Sequence, residues 1–221
     1  MAETAVTIPD TDEGPLSSED ALRRAALFAS GLLALRESPR FNDLVQDLSR
    51  TMDVPIAGVS VVDSGFCWLP VLHGVDLDSI PLSESLCAGV VETQIPMTET
   101  DLPANPKFAD NRFVAGPLAL RAYAAVPMCG VQGAKLGSVF IADQRVRPDF
   151  ASRAIPQLER TTVRILEEAS SPHHMRRVGR TTVEGLESLI RRATRNGDDA
   201  LVTAIDRVMR DVLPLTGMRG N

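Results

Sequence analysis

The sequence predicts a mixed α/β fold in which helices flank a central antiparallel sheet. Residues 55–63 and 66–74 are strand-like and are separated only by a Ser-Gly pair, which is typical of a tight hairpin turn. A second pair of strand-like segments, residues 119–128 and 136–143, is joined by a glycine-containing turn. The segments before and after these strands carry apolar residues at spacings of three and four, which is the helical period.

Two helices are predicted ahead of the first strand. Between residues 19 and 35, leucine and alanine recur at helical spacing and form one apolar stripe. Ser38 followed by Pro39 supplies an N-cap and a favourable first helical residue, so residues 41–52 are expected to form the second helix. Two helices thus precede the sheet.

The region between the two strand pairs combines a short helix with a long loop. Residues 83–93 are predicted to form the helix, with Ser83 or Ser85 as its N-cap. Residues 95–117 are polar and interrupted by proline. Phe108 and Phe113 are expected to anchor this loop to apolar surface, because a connection of such length would otherwise be mobile.

The carboxy-terminal third of the chain is predicted to be helical. A helix with an apolar stripe through residues 155–169 follows the last strand, and a Ser-Pro pair is expected to end it. Residues 173–180 are predicted to form a basic linker with solvated histidines. Two amphipathic helices should then occupy residues 181–195 and 199–213, the second being stopped by Pro214.

These elements divide the 221-residue chain into three parts. Residues 1–16 are acidic, contain proline and glycine and lack an apolar period, so they are expected to be a disordered tail. Residues 17–170 are long enough to bury a core and are predicted to form the main domain. Residues 171–221 are predicted to be a helical extension.

Composition and charge narrow the classes of function. A hydrophobic content of 44% with 24% charged residues is ordinary for a soluble globular protein. The net charge of −6 and the pI near 5.1 argue against a general binder of nucleic acid or of membrane surfaces. The amino terminus lacks a secretory signal, and the apolar run at residues 25–35 is shorter than the roughly 20 residues of a membrane span. We therefore expect a cytoplasmic protein.

The sequence contains no recognisable motif of a catalytic or metal site. Phosphate-binding glycine motifs, HExxH and GxSxG are all absent. Cys67, Cys87 and Cys129 lack metal-ligand spacing, and an odd cysteine count in a reducing compartment argues against a disulfide framework. We therefore expect no catalytic residue, no bound metal and no enzymatic activity.

Several separated segments resemble GAF domains of the bacterial sensory group, in the same order along the chain. The resemblance covers about residues 20–170 and extends back to VPIAGVSVVD at residues 54–63. It is carried by SLCAGVV (85–91), NPKFADNRFVAGP (105–117), LRAYAAVPM (120–128) and LGSVFIAD (136–143).

The resemblance implies a GAF-like α+β domain, here with a helical extension. In that fold the amino-terminal helices and the helix at residues 155–169 would lie on one face of the sheet, and residues 83–117 would cover a pocket on the other. Such domains usually regulate a kinase, a cyclase or a transcription module. After residue 170 the sequence shows no signature of any of these, so the output should pass through a partner or a dimer.

Candidate ligand-binding residues follow from the strand period and from the resemblance. The period of two places Arg121, Tyr123 and Ala125 on one face of strand 119–128. Arg121 is expected either to pair with Asp110 as a structural link or to meet an anionic ligand. The candidate ligand-binding residues are Trp68, Ser85, Cys87, Asp110, Arg121 and Tyr123.

Two further candidates leave alternatives open. Trp68 can belong to the core or to the pocket wall. Cys87, expected one turn into the helix that covers the pocket, can be a reactive thiol or a small buried hydrophobe. The reactive reading gives an alternative function, a thiol-dependent small-molecule redox enzyme or sensor. A scaffold with a collapsed pocket is a third reading.

We therefore expect a non-enzymatic sensory or regulatory protein that binds a small molecule or a protein partner. A homodimer is predicted, with an interface on the helices at residues 19–35 and 155–169. Three arrangements of the carboxy-terminal helices are open: they extend that interface, they pack on their own chain, or they present their arginines to an acidic partner. Neither a ligand nor a cofactor can be named from the sequence.

Overall fold

The structure, a computed structural model, describes residues 17–130 and 133–217. These residues form two compact units. The sheet unit comprises Pro39–Cys129 and Lys135–Ile165, and the helical unit comprises the other described residues. The tail predicted at residues 1–16 lies outside the described residues.

The sheet unit is built on a six-stranded sheet in which every neighbouring pair of strands is antiparallel, as predicted. The strands are β1 (Ile56–Asp63), β2 (Phe66–His73), β3 (Ser79–Pro81), β4 (Met97–Glu99), β5 (Ala122–Cys129) and β6 (Lys135–Asp143). Their order across the sheet is β3-β2-β1-β6-β5-β4. The two three-residue edge strands, β3 and β4, were not predicted because segments so short carry no readable period.

The predicted turn between β1 and β2 is confirmed. Ser64 and Gly65 both have positive φ, at 49° and 74°, as a two-residue hairpin turn of this hand requires. The predicted start of the strand at residue 119 is wrong. Ala119 has a left-handed φ of 49°, which breaks the pleat, and β5 begins only at Ala122.

Seven helices accompany the sheet within the described ranges. They are α1 (Ser18–Ser30), α2 (Pro39–Met52), α3 (Ala88–Thr93), α4 (Arg112–Ala115), α5 (Phe150–Ala169), α6 (Pro172–Arg195) and α7 (Asp199–Thr216). Short 3-10 helices occur at Leu32–Glu37, Leu82–Glu84 and Leu102–Ala104. None of the helices in these ranges combines the length and the apolar composition that a membrane span requires.

Both faces of the sheet are covered, because every residue of β1 is buried. Helix α2 packs against β1 and β2, while α3 contacts β5 and β6. Phe108 and Phe113 are buried and anchor the long loop, as predicted. One buried cluster joins the loop and the helices of this region to a single face of the sheet, which we call the cavity face. Its strand residues include Ile56, Cys67, Leu69, Tyr123, Ala125, Phe140 and Ala142.

The helical unit packs α1 against α6 and α7. Its main core joins alanines of α1 to apolar residues of the two carboxy-terminal helices. The apolar stripes of these helices are therefore buried within the chain, which was one of the three arrangements left open by the sequence. The members of this core are Ala21, Ala25, Leu186, Leu189, Ala193, Leu201 and Ile205.

The predicted linker at residues 173–180 is wrong, because α6 runs through it without a break. The Ser-Pro pair follows the end of α5 at Ala169, as predicted, but it also begins the next helix: the Ser171 hydroxyl accepts a hydrogen bond from the His174 amide, and Pro172 is the first helical residue. His174 was expected to be solvated but is 1% exposed, with Nε2 at 3.0 Å from the Gly31 carbonyl oxygen. Helix α7 likewise continues past Pro214 to Thr216.

Candidate functional site

The cavity face and the segments that cover it border a cavity of about 60 Å³. Its floor is formed by sheet residues, namely Ile56, Cys67, Leu69, Tyr123, Phe140 and Ala142. Its cover is formed by residues around α3 and α4, namely Ser85, Leu86, Cys87, Phe113, Leu118 and Leu120. A third side is formed by Leu72, Val75, Leu77 and Ile80, which are only half-buried.

Most of the side chains that line the cavity are apolar, and a few of them carry polar atoms. Polar atoms come from the thiols of Cys67 and Cys87 and from the hydroxyls of Ser85 and Tyr123. None of the residues that line it is charged. Because a buried charge needs a paired or hydrogen-bonding partner, this lining favours an uncharged molecule.

The small residues of β1 do not create the cavity. A Cβ atom on Gly58 would lie 2.8 Å from the ring of Phe140 and 2.9 Å from Leu72 Cδ1, so these two side chains already occupy the space above it. The space beside Ser60 is also filled, because its hydroxyl is 2.7 Å from the hydroxyl of Ser138 on β6. The small residues Gly58 and Ser60 therefore allow close packing within the sheet unit.

Three of the six predicted site residues line the cavity: Ser85, Cys87 and Tyr123. Trp68 does not, because Cys67 faces the cavity and the neighbouring side chain in a strand points to the opposite face. The Trp68 ring instead lies 5.9 Å from that of Phe66, and its indole nitrogen has no hydrogen-bond partner among the described residues. Asp110 is exposed and also lies outside the cavity lining.

Arg121 does not line the cavity either. Its Nη1 donates to the carbonyl oxygens of Val114 and Leu120, at 3.1 and 2.9 Å. No ion pair between Arg121 and Asp110 occurs in the described part of the chain, so the expected pairing is corrected. Arg121 holds the loop after α4 through backbone carbonyls, a partnership that depends on how the loop turns and that residue types alone do not reveal.

A close pair of thiols lies in the cavity wall. The Sγ atoms of Cys67 and Cys87 are 3.1 Å apart, and both residues are buried. The Ser85 hydroxyl oxygen is 2.8 Å from the Cys87 sulfur and accepts a hydrogen bond from the Cys87 amide at 3.3 Å. Three side chains from β2 and from the segment before α3 therefore form one polar cluster.

The segment that carries Cys87 differs from the prediction. Helix α3 begins at Ala88 and not at residue 83, after the separate 3-10 turn Leu82–Glu84. Cys87 consequently occupies the N-cap position, and neither Ser83 nor Ser85 caps the helix. The extended backbone of Ser85 between the two helices is what brings its hydroxyl back to Cys87.

Contacts within this cluster set the protonation of the two thiols. The hydrogen bond from Cys67 lowers the pKa of Cys87 to about 6, against the opposing effect of burial. The same contact, together with burial, raises the pKa of Cys67. Burial also raises the pKa of Tyr123, which keeps its phenol protonated. Cys87 is thus the favoured thiolate of the pair.

Cys67 is the site residue that sequence reasoning missed. The period of two along β2 already places it beside Leu69 on an inward face, but its partner comes from a segment 20 residues further along the chain. Within residues 17–130 and 133–217, no group of three or more histidine, cysteine, aspartate or glutamate side chains is arranged to hold a metal ion.

Comparisons with known proteins bear on the fold. No family model matches the chain. A cyclic di-GMP phosphodiesterase of Pseudomonas aeruginosa is 28% identical over 145 residues, which are 66% of this chain and 25% of that protein. The chain therefore spans about a quarter of the length of the curated relative that it matches.

Two solved structures have a similar backbone. The GAF domain of an Acinetobacter phosphoenolpyruvate-protein phosphotransferase has a TM-score of 0.51 at 17% identity, and the match covers 75% of this chain and 99% of that one. The GAF domain region of a Geobacter sulfurreducens protein has a TM-score of 0.51 at 13% identity, with 62% and 93% covered. Together with the antiparallel sheet order and its flanking helices, these matches show that the chain has the GAF fold.

Proposed function

We propose that this chain is a non-enzymatic sensory protein whose cavity binds a small, uncharged and largely apolar molecule. The observation that carries the proposal is the cavity of about 60 Å³ between the sheet and the α3–α4 region, which is lined by apolar side chains and by a few neutral polar groups. An apolar cavity with a small number of convergent polar groups is the usual form of a ligand site.

The size of the cavity limits the ligand. A cavity of about 150 Å³ accommodates benzene, so the present volume suits a smaller molecule or one part of a larger molecule that extends through the half-buried side. Ser85 and Tyr123 provide hydroxyls that can orient such a ligand. Arginine does not contribute, which favours neutral over anionic ligands.

The Pseudomonas relative supports a regulatory role. Its matching part is a quarter of a protein named for cyclic di-GMP hydrolysis, so a domain of this kind can accompany an enzymatic module in a longer chain. In this chain we assign the input to the cavity of the sheet unit. The output would pass to a protein partner or to a second copy in the cytoplasm.

The helical unit offers a surface for that output. Arg176, Arg177 and Arg180 are exposed on α6, and none of the ion pairs seen in the described residues involves them. Such a surface fits an acidic partner. Light scattering distinguishes these two routes of output. The mass of a dimer would support signalling through a second copy of the chain, and the mass of a monomer would support signalling through a different protein.

Ligand-observed NMR with a library of small uncharged molecules tests the binding proposal. Ala142→Leu fills the floor of the cavity and should abolish binding while the amide spectrum remains dispersed. Leu77→Trp narrows the half-buried side without altering the floor, and it provides the test if the first variant fails to fold. Ala151→Leu, at an exposed position of α5, is the control and should bind normally. Binding that survives both cavity variants would overturn the proposal.

A further inference from the structure

Two cysteine thiols meet in the cavity wall, and binding of an apolar ligand requires neither of them. Their sulfur atoms are 3.1 Å apart, whereas the third cysteine, Cys129, is exposed and has Sγ 2.6 Å from Gln94 Oε1. We infer that Cys67 and Cys87 form a redox site that a hydroperoxide oxidises to a disulfide. Cys87 is the nucleophile, and Cys67 is the resolving thiol.

The assignment of Cys87 as the nucleophile rests on its contacts. Its sulfur has two neighbours that can donate hydrogen bonds, the Cys67 thiol at 3.1 Å and the Ser85 hydroxyl at 2.8 Å. Donors of this kind stabilise a thiolate, and the thiolate is the reactive form of cysteine. Cys67 has a raised pKa and remains protonated, so it holds the proton that the second step needs.

The reaction balances in two steps. The Cys87 thiolate attacks one oxygen of the hydroperoxide, so an S–O bond forms and the O–O bond breaks. The leaving group, hydroxide from hydrogen peroxide or alkoxide from an organic hydroperoxide, takes up the proton that Cys87 lost on ionisation and departs as water or an alcohol. Cys67 sulfur then attacks the resulting sulfenic acid, so the S–S bond forms and the S–O bond breaks. The hydroxide leaves with the Cys67 proton as water. Two thiols lose two electrons, and one hydroperoxide is reduced.

The geometry suits both steps. Hydrogen peroxide has only two heavy atoms and fits a cavity of about 60 Å³ that the Cys87 thiol lines. A disulfide has an S–S distance near 2.05 Å, so the two sulfurs need to approach by about 1 Å. Cys87 is the N-cap residue of α3: its carbonyl oxygen accepts from the Val91 amide, but its side chain makes no capping hydrogen bond and can rotate to close this distance.

Oxidation would also alter the ligand site. Both sulfurs line the cavity, so a disulfide would replace two polar thiols by an apolar bridge between β2 and the residue before α3. We expect the affinity for a cavity ligand to differ between the two redox forms. This consequence rests on the proposed ligand-binding function, whereas disulfide formation itself does not.

Peroxide treatment of the full chain tests the inference. Reduced protein, freed of reductant, receives one equivalent of hydrogen peroxide and is then alkylated under denaturing conditions and digested for mass spectrometry. We expect a linked peptide pair containing Cys67 and Cys87, while Cys129 is recovered alkylated. A dithiol reductant should return both thiols. Oxidation of Cys129 ahead of the pair would overturn the inference, because an exposed thiol without the paired contacts would then be the more reactive.

Variants test the two roles separately. Cys67→Ser lacks the resolving thiol and should accumulate a sulfenic acid on Cys87 that dimedone traps. Cys129→Ser is the matched control and should form the disulfide as the wild type does. Equal dimedone labelling of Cys87 in the wild type and in Cys67→Ser would contradict the resolving role. The wild-type result needs no variant to fold, and ligand binding measured on reduced protein reports on the proposed function independently.

Discussion

The hydroxyl oxygens of Ser60 and Ser138 lie 2.7 Å apart on the neighbouring strands β1 and β6, where neither residue is exposed to solvent. The two residues contribute unequally to this contact. The Ser60 hydroxyl oxygen is also 3.3 Å from the Ser138 carbonyl oxygen and accepts from the Ser138 amide at 3.1 Å. The Ser60 hydroxyl therefore takes part in three hydrogen bonds with Ser138, and the Ser138 hydroxyl takes part in only one of them.

This asymmetry predicts an order of stability for two alanine variants. Ser60→Ala removes all three hydrogen bonds and should lower the free energy of unfolding by about 1–3 kcal/mol, because buried polar groups lose their partner. Ser138→Ala leaves Ser60 with two backbone contacts and should cost about 0.5–1.5 kcal/mol. Urea unfolding of both variants measures the difference. The reverse order would show that the Ser138 hydroxyl has the more important contacts.

The reactivity of Cys87 should depend on pH in a characteristic way. With a pKa of about 6, the thiol is protonated and slow below that pH, and the rate of alkylation by iodoacetamide should level off above it. An unperturbed thiol would level off only above about 8.5. The measurement is made in the Cys129→Ser background, so that the exposed thiol does not contribute.

A second variant identifies the cause of the lowered pKa. The hydrogen bond from Cys67 has the largest effect, so Cys67→Ala should move the pH profile of Cys87 alkylation to higher pH. Ser85→Ala removes a weaker contact and should move it less. An unchanged pH profile in Cys67→Ala would show that the Cys67 thiol does not cause the lowered pKa of Cys87.

The sequence predicted the scaffold of this site better than its contacts. Alternation along the strands and one hairpin turn are local properties, so the antiparallel sheet and the inward position of Tyr123 could be read from neighbouring residues. The Cys67–Cys87 contact could not, because it depends on where the segment before α3 crosses β2. Arg121 shows the same limit: its partners are backbone carbonyls, which carry no residue-specific signal.

A second kind of error came from signals that have two meanings. The Ser171–Pro172 pair both follows the end of α5 at Ala169 and caps α6, and the prediction included only the first of these roles. The buried position of His174 could not be inferred, because it depends on a contact with Gly31, which lies 143 positions earlier in the chain.

Arg147 should be among the most important charged residues for the stability of the sheet unit. It is 11% exposed and bonds to Asp143, which is 1% exposed, as well as to Asp149 and to the carbonyl of Met52. Arg147→Ala leaves the Asp143 carboxylate buried with only Arg145 nearby, and we expect a loss of about 3–5 kcal/mol. Arg153→Ala removes an exposed ion pair with Asp149 and should cost less than about 1 kcal/mol.

The same network predicts how stability depends on pH. Burial alone would raise the pKa of Asp143, but hydrogen bonds from Arg147 and Arg145 outweigh it and hold that pKa below its usual range. A carboxyl with a lowered folded-state pKa stabilises the fold above its unfolded pKa of about 3.9, and this stabilisation is lost as the pH falls further. Urea unfolding between neutral and acidic pH should show the loss in the wild type and a smaller one in Asp143→Asn.

Helices α6 and α7 approach each other too closely at Gly179 to admit a larger residue. A Cβ atom on Gly179 would lie 2.7 Å from Thr216 Cβ and 3.2 Å from the Thr216 carbonyl oxygen, so alanine would force the helices apart. Overpacking of this kind typically costs about 1–3 kcal/mol, which exceeds the gain of about 0.5–1 kcal/mol in helix propensity. The control is Gly89→Ala in α3, whose Cβ would meet only Lys107 Nζ at 3.8 Å and which should be neutral or stabilising. Thermal unfolding followed by circular dichroism compares the two, and a Gly179→Ala protein as stable as the control would show that α7 shifts without cost.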